Sequence, residues 1–155
     1  MEALLQAVGA CLPESSIYLF TDADAKDGSL YNTPNTFGFF MLERVLAWLE
    51  ANGGLTGAIR RNEAKAGLLY GELDRTGFWR PHAEKSSRSW MNVTWRLPTP
   101  ELEEAFVKEA KAAGLDGLKG HRSVGGIRAS LYNALGIESV EALVNFMRDF
   151  EKRNG

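Results

Sequence analysis

The sequence predicts a small α/β fold: a mixed or antiparallel sheet with helices packed on one face. Two observations predict it. Apolar residues recur at three- and four-residue steps in several separate segments, whereas residues 90–97 alternate with the period of a half-buried strand. Short strands then fall between helices in the order helix, helix, strand, helix, strand, strand, helix, which is the pattern of a layered α/β structure.

Taken in order, residues 1–12 are apolar and helix-leaning up to Pro13, and 13–35 are rich in the Asp, Ser, Gly and Pro residues that favour turns. From Thr36, Phe37, Phe40, Met41, Val45 and Trp48 form a helical stripe, predicted to be core, with a stop at Asn52-Gly53-Gly54. A second helix places Leu55, Ile59, Ala66, Leu69 and Leu73 on an apolar stripe and Arg60, Arg61, Glu63 and Lys65 on a polar one. In the 90–97 strand, Met91, Val93, Trp95 and Leu97 share one side, and Trp90, Asn92, Thr94 and Arg96 the other. Thr99-Pro100-Glu101 combines an N-cap, a first-turn proline and a first-turn acid, opening a helix that runs to Gly114. Strands are expected at 118–121 and 127–132, and Val140, Leu143, Val144, Met147 and Phe150 mark a last amphipathic helix.

Bulk properties narrow the chemistry. The 155 residues are 45% hydrophobic and 25% charged, enough for one real core. A net charge of -2 gives no overall attraction to nucleic acid or anionic membrane, so a small anion is the expected ligand. The single cysteine, Cys11, excludes an intrachain disulfide and points to a reducing, cytoplasmic setting. Glu2 stands where a secretory leader needs basic residues, and the apolar stretch 37–49 is broken by Glu43 and Arg44, so no membrane segment is expected. Two histidines and one unclustered cysteine make no metal site.

The chemistry-bearing segment is Gly120-His121-Arg122-Ser123-Val124-Gly125-Gly126-Ile127-Arg128. Arginine forks bind carboxylate or phosphate through paired hydrogen bonds, histidine adds a further donor, and glycines allow a tight turn and close approach. With Ile127, Ala129 and Leu131 on one strand face, Arg128 shares the other with Ser130 and Tyr132. Spacing alone leaves two readings open: an oxyanion pocket, or surface ion pairs around a glycine turn. No Walker loop or three-glycine dinucleotide fingerprint is present. Asn32-Thr33-Pro34 reads either as a helix cap or as a phosphate site near a helix N-terminus. Most lysines fall on expected solvated faces, and Lys119 adjoins the proposed pocket.

Three stretches together are specific: 29–34 (SLYNTP), 88–93 (RSWMNV) and 118–133 (LKGHRSVGGIRASLYN). They resemble the phosphoserine aminotransferases, pyridoxal-phosphate enzymes of aminotransferase fold type I, and the likeness runs over nearly the whole chain. Asn35 and Thr94 depart from it, standing where the family commonly has proline. The resemblance implies amino transfer between glutamate and 3-phosphohydroxypyruvate in serine biosynthesis, giving 2-oxoglutarate and O-phosphoserine. It implies substrate phosphate binding by His121 and Arg122, and substrate carboxylate binding by Arg128. It also implies that Asn32 and Thr33 reach across a homodimer interface to the phosphate of pyridoxal 5'-phosphate.

The family's Schiff-base lysine lies in a Gly-Ala-Gln-Lys-Asn segment, and no such segment occurs in this sequence. The implied organisation is therefore a large-domain remnant and dimer-crossing loop over 1–35, followed by a C-terminal small domain over 36–155. Such a chain is expected to recognise substrate, to carry no catalytic lysine, and to be inactive alone. Its implied partners are a second copy or a large-domain chain. A non-catalytic interaction module pairing through residues 13–40 is the alternative. A nucleic-acid binder using Arg60, Arg61, Arg122 and Arg128 is disfavoured by the acidic balance and the lack of a basic stripe with interleaved aromatics.

Overall fold

The computed structural model describes residues 35–155. The expected helix at 1–12, the 13–34 loops, and Asn32 and Thr33 lie outside the described residues. The chain divides into two units, Met1–Leu46 and Ala47–Gly155.

Helix α1 (Thr36–Ala51) begins beside Asn35, whose side-chain oxygen accepts the backbone N–H of Gly38 at 2.9 Å. It stops where the sequence predicts: Gly53 and Gly54 adopt φ of 85° and 61°, a left-handed conformation that cannot continue a helix. Its aromatic stripe departs from expectation. No residue of α1 is buried, and Phe37, Phe40, Met41, Val45 and Trp48 remain 45–72% exposed. The described residues do not cover the face that the periodicity assigns to a core.

In helix α2 (Gly54–Leu73), Ala66, Leu69 and Leu73 are buried as expected, but Leu55 and Ile59 are exposed. The buried stripe instead continues through Asn62 and Lys65, so the helix is rotated relative to its apolar pattern. Lys65 corrects the expectation of a solvated lysine. Its ammonium donates to the carbonyls of Leu131 (3.1 Å), Tyr132 (2.7 Å) and Leu135 (3.0 Å), which compensates an otherwise prohibitive burial.

A short edge strand β1 (Arg80–Pro81) pairs antiparallel with β2 (Asn92–Arg96), and β2 pairs antiparallel with β3 (Ile127–Ser130). The sheet is antiparallel throughout, in the order β1-β2-β3. β1 escapes sequence reading because two residues show no period, and its proline is tolerated only at an edge. The strand expected at 118–121 reduces to one bridge, Lys119 to Ile127, because the chain turns sharply straight after it.

Thr99 caps helix α3 (Pro100–Ala112), accepting the Leu102 N–H at 3.3 Å, and helix α4 (Ile137–Asn154) buries the five residues its pattern predicts. Val93, Trp95, Ile127 and Ala129 on one sheet face join buried residues of α2, α3 and α4 in a single core. Asn92, Thr94, Arg128 and Ser130 occupy the other face, only partly buried. Helices on one side therefore leave a polar, open sheet face on the other, the arrangement the sequence predicts.

Glu72 ties α2 to α4. Its fully buried carboxylate accepts Arg75 Nη2 at 2.7 Å and Arg148 Nε at 2.8 Å. Burial alone would raise its pKa, but hydrogen bonds from the two arginines, with their charges, outweigh burial and hold it below the ordinary 4.5. The unfolded carboxyl therefore takes up its proton at higher pH than the folded one, so this stabilisation is present above pH 4.5 and is lost as pH falls through the folded pKa. Thermal melts should weaken in acid, with a shallower acid dependence in Glu72→Gln. An unchanged acid slope in that variant would remove Glu72 as the cause.

Candidate substrate-anion site

The 119–128 segment is folded back on itself. Lys119 bridges Ile127, Gly120 N–H donates to the Gly126 carbonyl at 2.8 Å, and Arg128 N–H donates to Leu118 at 2.8 Å. At the tip, the His121 carbonyl accepts both Val124 N–H (2.9 Å) and Gly125 N–H (2.7 Å). Gly125 and Gly126 carry φ of 73° and 71°, and a Cβ on Gly120 would stand 2.0 Å from the Gly125 oxygen. The glycines are thus needed for the chain's approach to itself, before any ligand is considered.

His121 and Arg122 lie on the exposed side of this turn. The Ser123 backbone N–H donates to His121 Nδ1 at 3.3 Å, and the Ser123 hydroxyl lies 2.7 Å from the same atom. A backbone N–H can only donate, so Nδ1 is an acceptor and the neutral ring carries its proton on Nε2. Arg122 makes no hydrogen bond or ion pair to the described residues, which leaves its fork open.

Arg128 stands at the base of the turn, opposite Thr94 in the sheet, while Ser130 stands opposite Asn92. Ile127, Ala129 and Leu131 are buried on the core side, so Arg128 faces away from the apolar packing, as the alternation predicts. Its Nε is buried and has no hydrogen-bond partner among the described residues. Arg61 Nη2 and Arg88 Nε share that status, but the rest of the Arg128 guanidinium also makes no hydrogen bond or ion pair among the described residues, which leaves its fork open to a carboxylate or phosphate. Beside it, Asn92 Oδ1 accepts the Ser130 hydroxyl at 3.1 Å, with the Tyr132 hydroxyl 3.5 Å away.

Sequence reading placed Asn92 on the polar side of its strand but gave it no neighbour. The missing signal is register, which only the pairing of β2 with β3 supplies. Arg88, in the 88–93 motif, turns out to be a brace: both its terminal nitrogens donate to Asp74 (2.8 and 2.7 Å), and its guanidinium lies 4.4 Å over the Tyr70 ring. The hydrogen bonds and charge of Arg88 hold the Asp74 carboxyl below the usual carboxylate range.

Lys65 has the lowered pKa that reactive lysines share, caused first by burial and then by Arg61, but three carbonyls hold its ammonium. It is a clamp rather than a nucleophile. Asn32 and Thr33 lie outside the described residues. Among the described residues, no group of three His, Cys, Asp or Glu side chains could hold a metal, and no helix is long and apolar enough to cross a membrane.

Comparison with known proteins identifies the family. The chain is 57% identical over 132 residues to a phosphoserine aminotransferase of Herpetosiphon aurantiacus, covering 84% of this chain and 37% of that protein. It is 51% identical over 152 residues to a phosphoserine aminotransferase of Lysinibacillus sphaericus, covering 97% of this chain and 41% of that protein. Among solved structures, the phosphoserine aminotransferase from Bacillus circulans subsp. alkalophilus superimposes with a TM-score of 0.81 at 51% identity, covering 86% of this chain and 37% of that one. A PLP-bound phosphoserine aminotransferase from Trichomonas vaginalis does so with a TM-score of 0.73 at 34% identity, covering 81% of this chain and 36% of that one. The chain spans about two fifths of the length of the curated relatives it matches. The family model for Aminotransferase class-V matches residues 9–143, and with the fold and motifs in agreement the chain belongs to the class-V aminotransferases.

Proposed function

We propose that this chain is the substrate-recognising, C-terminal part of a phosphoserine aminotransferase, binding the phosphate of O-phosphoserine or 3-phosphohydroxypyruvate with His121 and Arg122 and the carboxylate with Arg128. The observation that carries this reading is the Arg128 guanidinium, without a partner among the described residues on the open sheet face, at the base of the loop presenting His121 and Arg122. Two anion-binding ends on one folded-back segment suit a substrate with an anionic group at each end. In this reading residues 36–155 are the small domain, and 1–35 carry the dimer-crossing Asn32 and Thr33. Exchange of the amino group with glutamate would use pyridoxal phosphate as electron sink, held with residues that the described part of the chain lacks. The protein would work in the cytoplasm, in serine biosynthesis, as a homodimer or paired with a large-domain chain. A second reading, a non-catalytic interaction module, draws its support from the exposed aromatic face of α1, which invites a protein partner.

Titration of the isotope-labelled chain with O-phosphoserine, followed by amide NMR, tests the site. Shifts should concentrate at 120–130; shifts elsewhere, or none, overturn the assignment. Mixed with pyridoxal phosphate and glutamate, the chain alone should not transaminate. A stoichiometric, borohydride-trapped adduct mapped to Lys119 would overturn the claim that the catalytic lysine is elsewhere.

A further inference from the structure

We propose that Arg96 is a positioning residue that holds the 121–126 turn in its anion-binding shape, with Glu103 as its anchor; this rests on reading His121 and Arg122 as the phosphate site. Arg96 ends β2 on the open sheet face. Its Nη2 donates to the Val124 carbonyl, and its Nη1 pairs with Glu103 Oε2 at 3.2 Å. The other oxygen of Glu103 accepts the Leu97 backbone N–H at 3.3 Å, so the carboxylate is fixed before it meets the guanidinium. The same guanidinium fills the space beside the two glycines: a Cβ on Gly125 would stand 3.2 Å from Arg96 Nη1, and one on Gly126 would stand 3.1 Å from Arg96 Nε.

The result is a continuous link from a helix packed in the core, through Glu103 and Arg96, to the backbone three residues from His121. An arginine suits this place because its fork donates in two directions at once, to a carboxylate and to a carbonyl. An isolated exposed ion pair contributes little to global stability, and Arg96 is half-exposed. Its effect should therefore appear in the order of the turn and in phosphate affinity rather than in the melting temperature. A turn already held in its bound shape does not lose that ordering entropy on binding.

The test compares the wild-type chain with R96M and R96K in two measurements: amide exchange, and NMR titration with inorganic phosphate. In R96M the Gly120, Val124 and Gly125 amides should exchange on the order of 10-fold faster, since local opening is no longer opposed. Phosphate affinity at His121 and Arg122 should fall about 5- to 10-fold, the scale of one lost charge-assisted anchor. Exchange elsewhere in the core should be unchanged, and R96K should recover part of both effects by restoring one of the two directions. Unchanged exchange at the turn in R96M overturns the brace. Faster exchange with undiminished phosphate affinity overturns the positioning role. A wild-type chain whose 121–122 amides do not respond to phosphate overturns instead the reading of the site on which the proposal stands.

Discussion

Phe106→Ala should lower the unfolding free energy by about 3–5 kcal/mol, among the largest losses expected from one substitution in the core. The side chain is fully buried, and its ring stands edge-on to Trp79 (5.6 Å), Trp95 (6.3 Å), Phe146 (5.3 Å) and Phe150 (5.2 Å). Four aromatic neighbours from different parts of the chain cannot all collapse onto an alanine, so most of the vacated space stays empty. Edge-to-face pairs add roughly 0.5–1.5 kcal/mol each beyond area burial. Phe106 and Ala110 are the only buried residues of α3, so the substitution also loosens the helix that carries Glu103. Typical domains have only about 5–15 kcal/mol to lose, and the variant should approach marginal stability. Urea denaturation at neutral pH measures the effect; a loss below about 1 kcal/mol would mean the cluster repacks, contrary to its geometry.

Where one face of an element is buried by the rest of the chain, the sequence pattern was enough. The alternation at Val93, Trp95 and Leu97, the cap at Thr99, and the stripe ending at Phe150 each state a local rule that tertiary structure obeys. The pattern misleads in two places, for different reasons. The α1 stripe is strongly apolar yet exposed, because periodicity shows that a face is to be covered without showing by what. In α2, Lys65 looks like a surface residue because its charge dominates its long apolar stem, and nothing local discloses three inward carbonyls sixty-six to seventy residues away.

The candidate site divides in the same way. His121, Arg122 and Arg128 are legible from residue type and alternation within one segment. The neighbours that shape their surroundings, Asn92 opposite Ser130 and Arg96 against Gly125, depend on register between β2 and β3. Register is a pairwise property, and one strand read alone does not contain it. The glycines illustrate the difference: their spacing suggested close approach to a ligand, and the structure shows close approach to Arg96 and to the chain's own backbone.

Lys65→Met should cost about 2–4 kcal/mol, far more than the roughly 0.5 kcal/mol typical of a surface lysine. Methionine keeps most of the buried stem, so the loss isolates the ammonium from its packing. Without it, the carbonyls of Leu131, Tyr132 and Leu135 lose a shared, charge-assisted donor; each unsatisfied acceptor costs on the order of 1–3 kcal/mol where water cannot replace the donor. Two effects limit the total. Burying the ammonium was itself unfavourable, as its lowered pKa records, and the Tyr132 and Leu135 carbonyls are close enough to the surface for partial hydration. The damage should be directional: amides at 131–135 should shift and exchange faster, along with the Asn62 side chain that donates to Asn133 at 2.7 Å, while the α3 amides stay protected. Lys65→Ala should cost more again, by the cavity its missing stem leaves. If Lys65→Met melts with the wild type and leaves 131–135 unperturbed, the clamp contributes nothing. The turn that follows Arg128 would then owe its position to the core contacts of Leu131, its N–H bond to the Met91 carbonyl and the Asn62–Asn133 hydrogen bond.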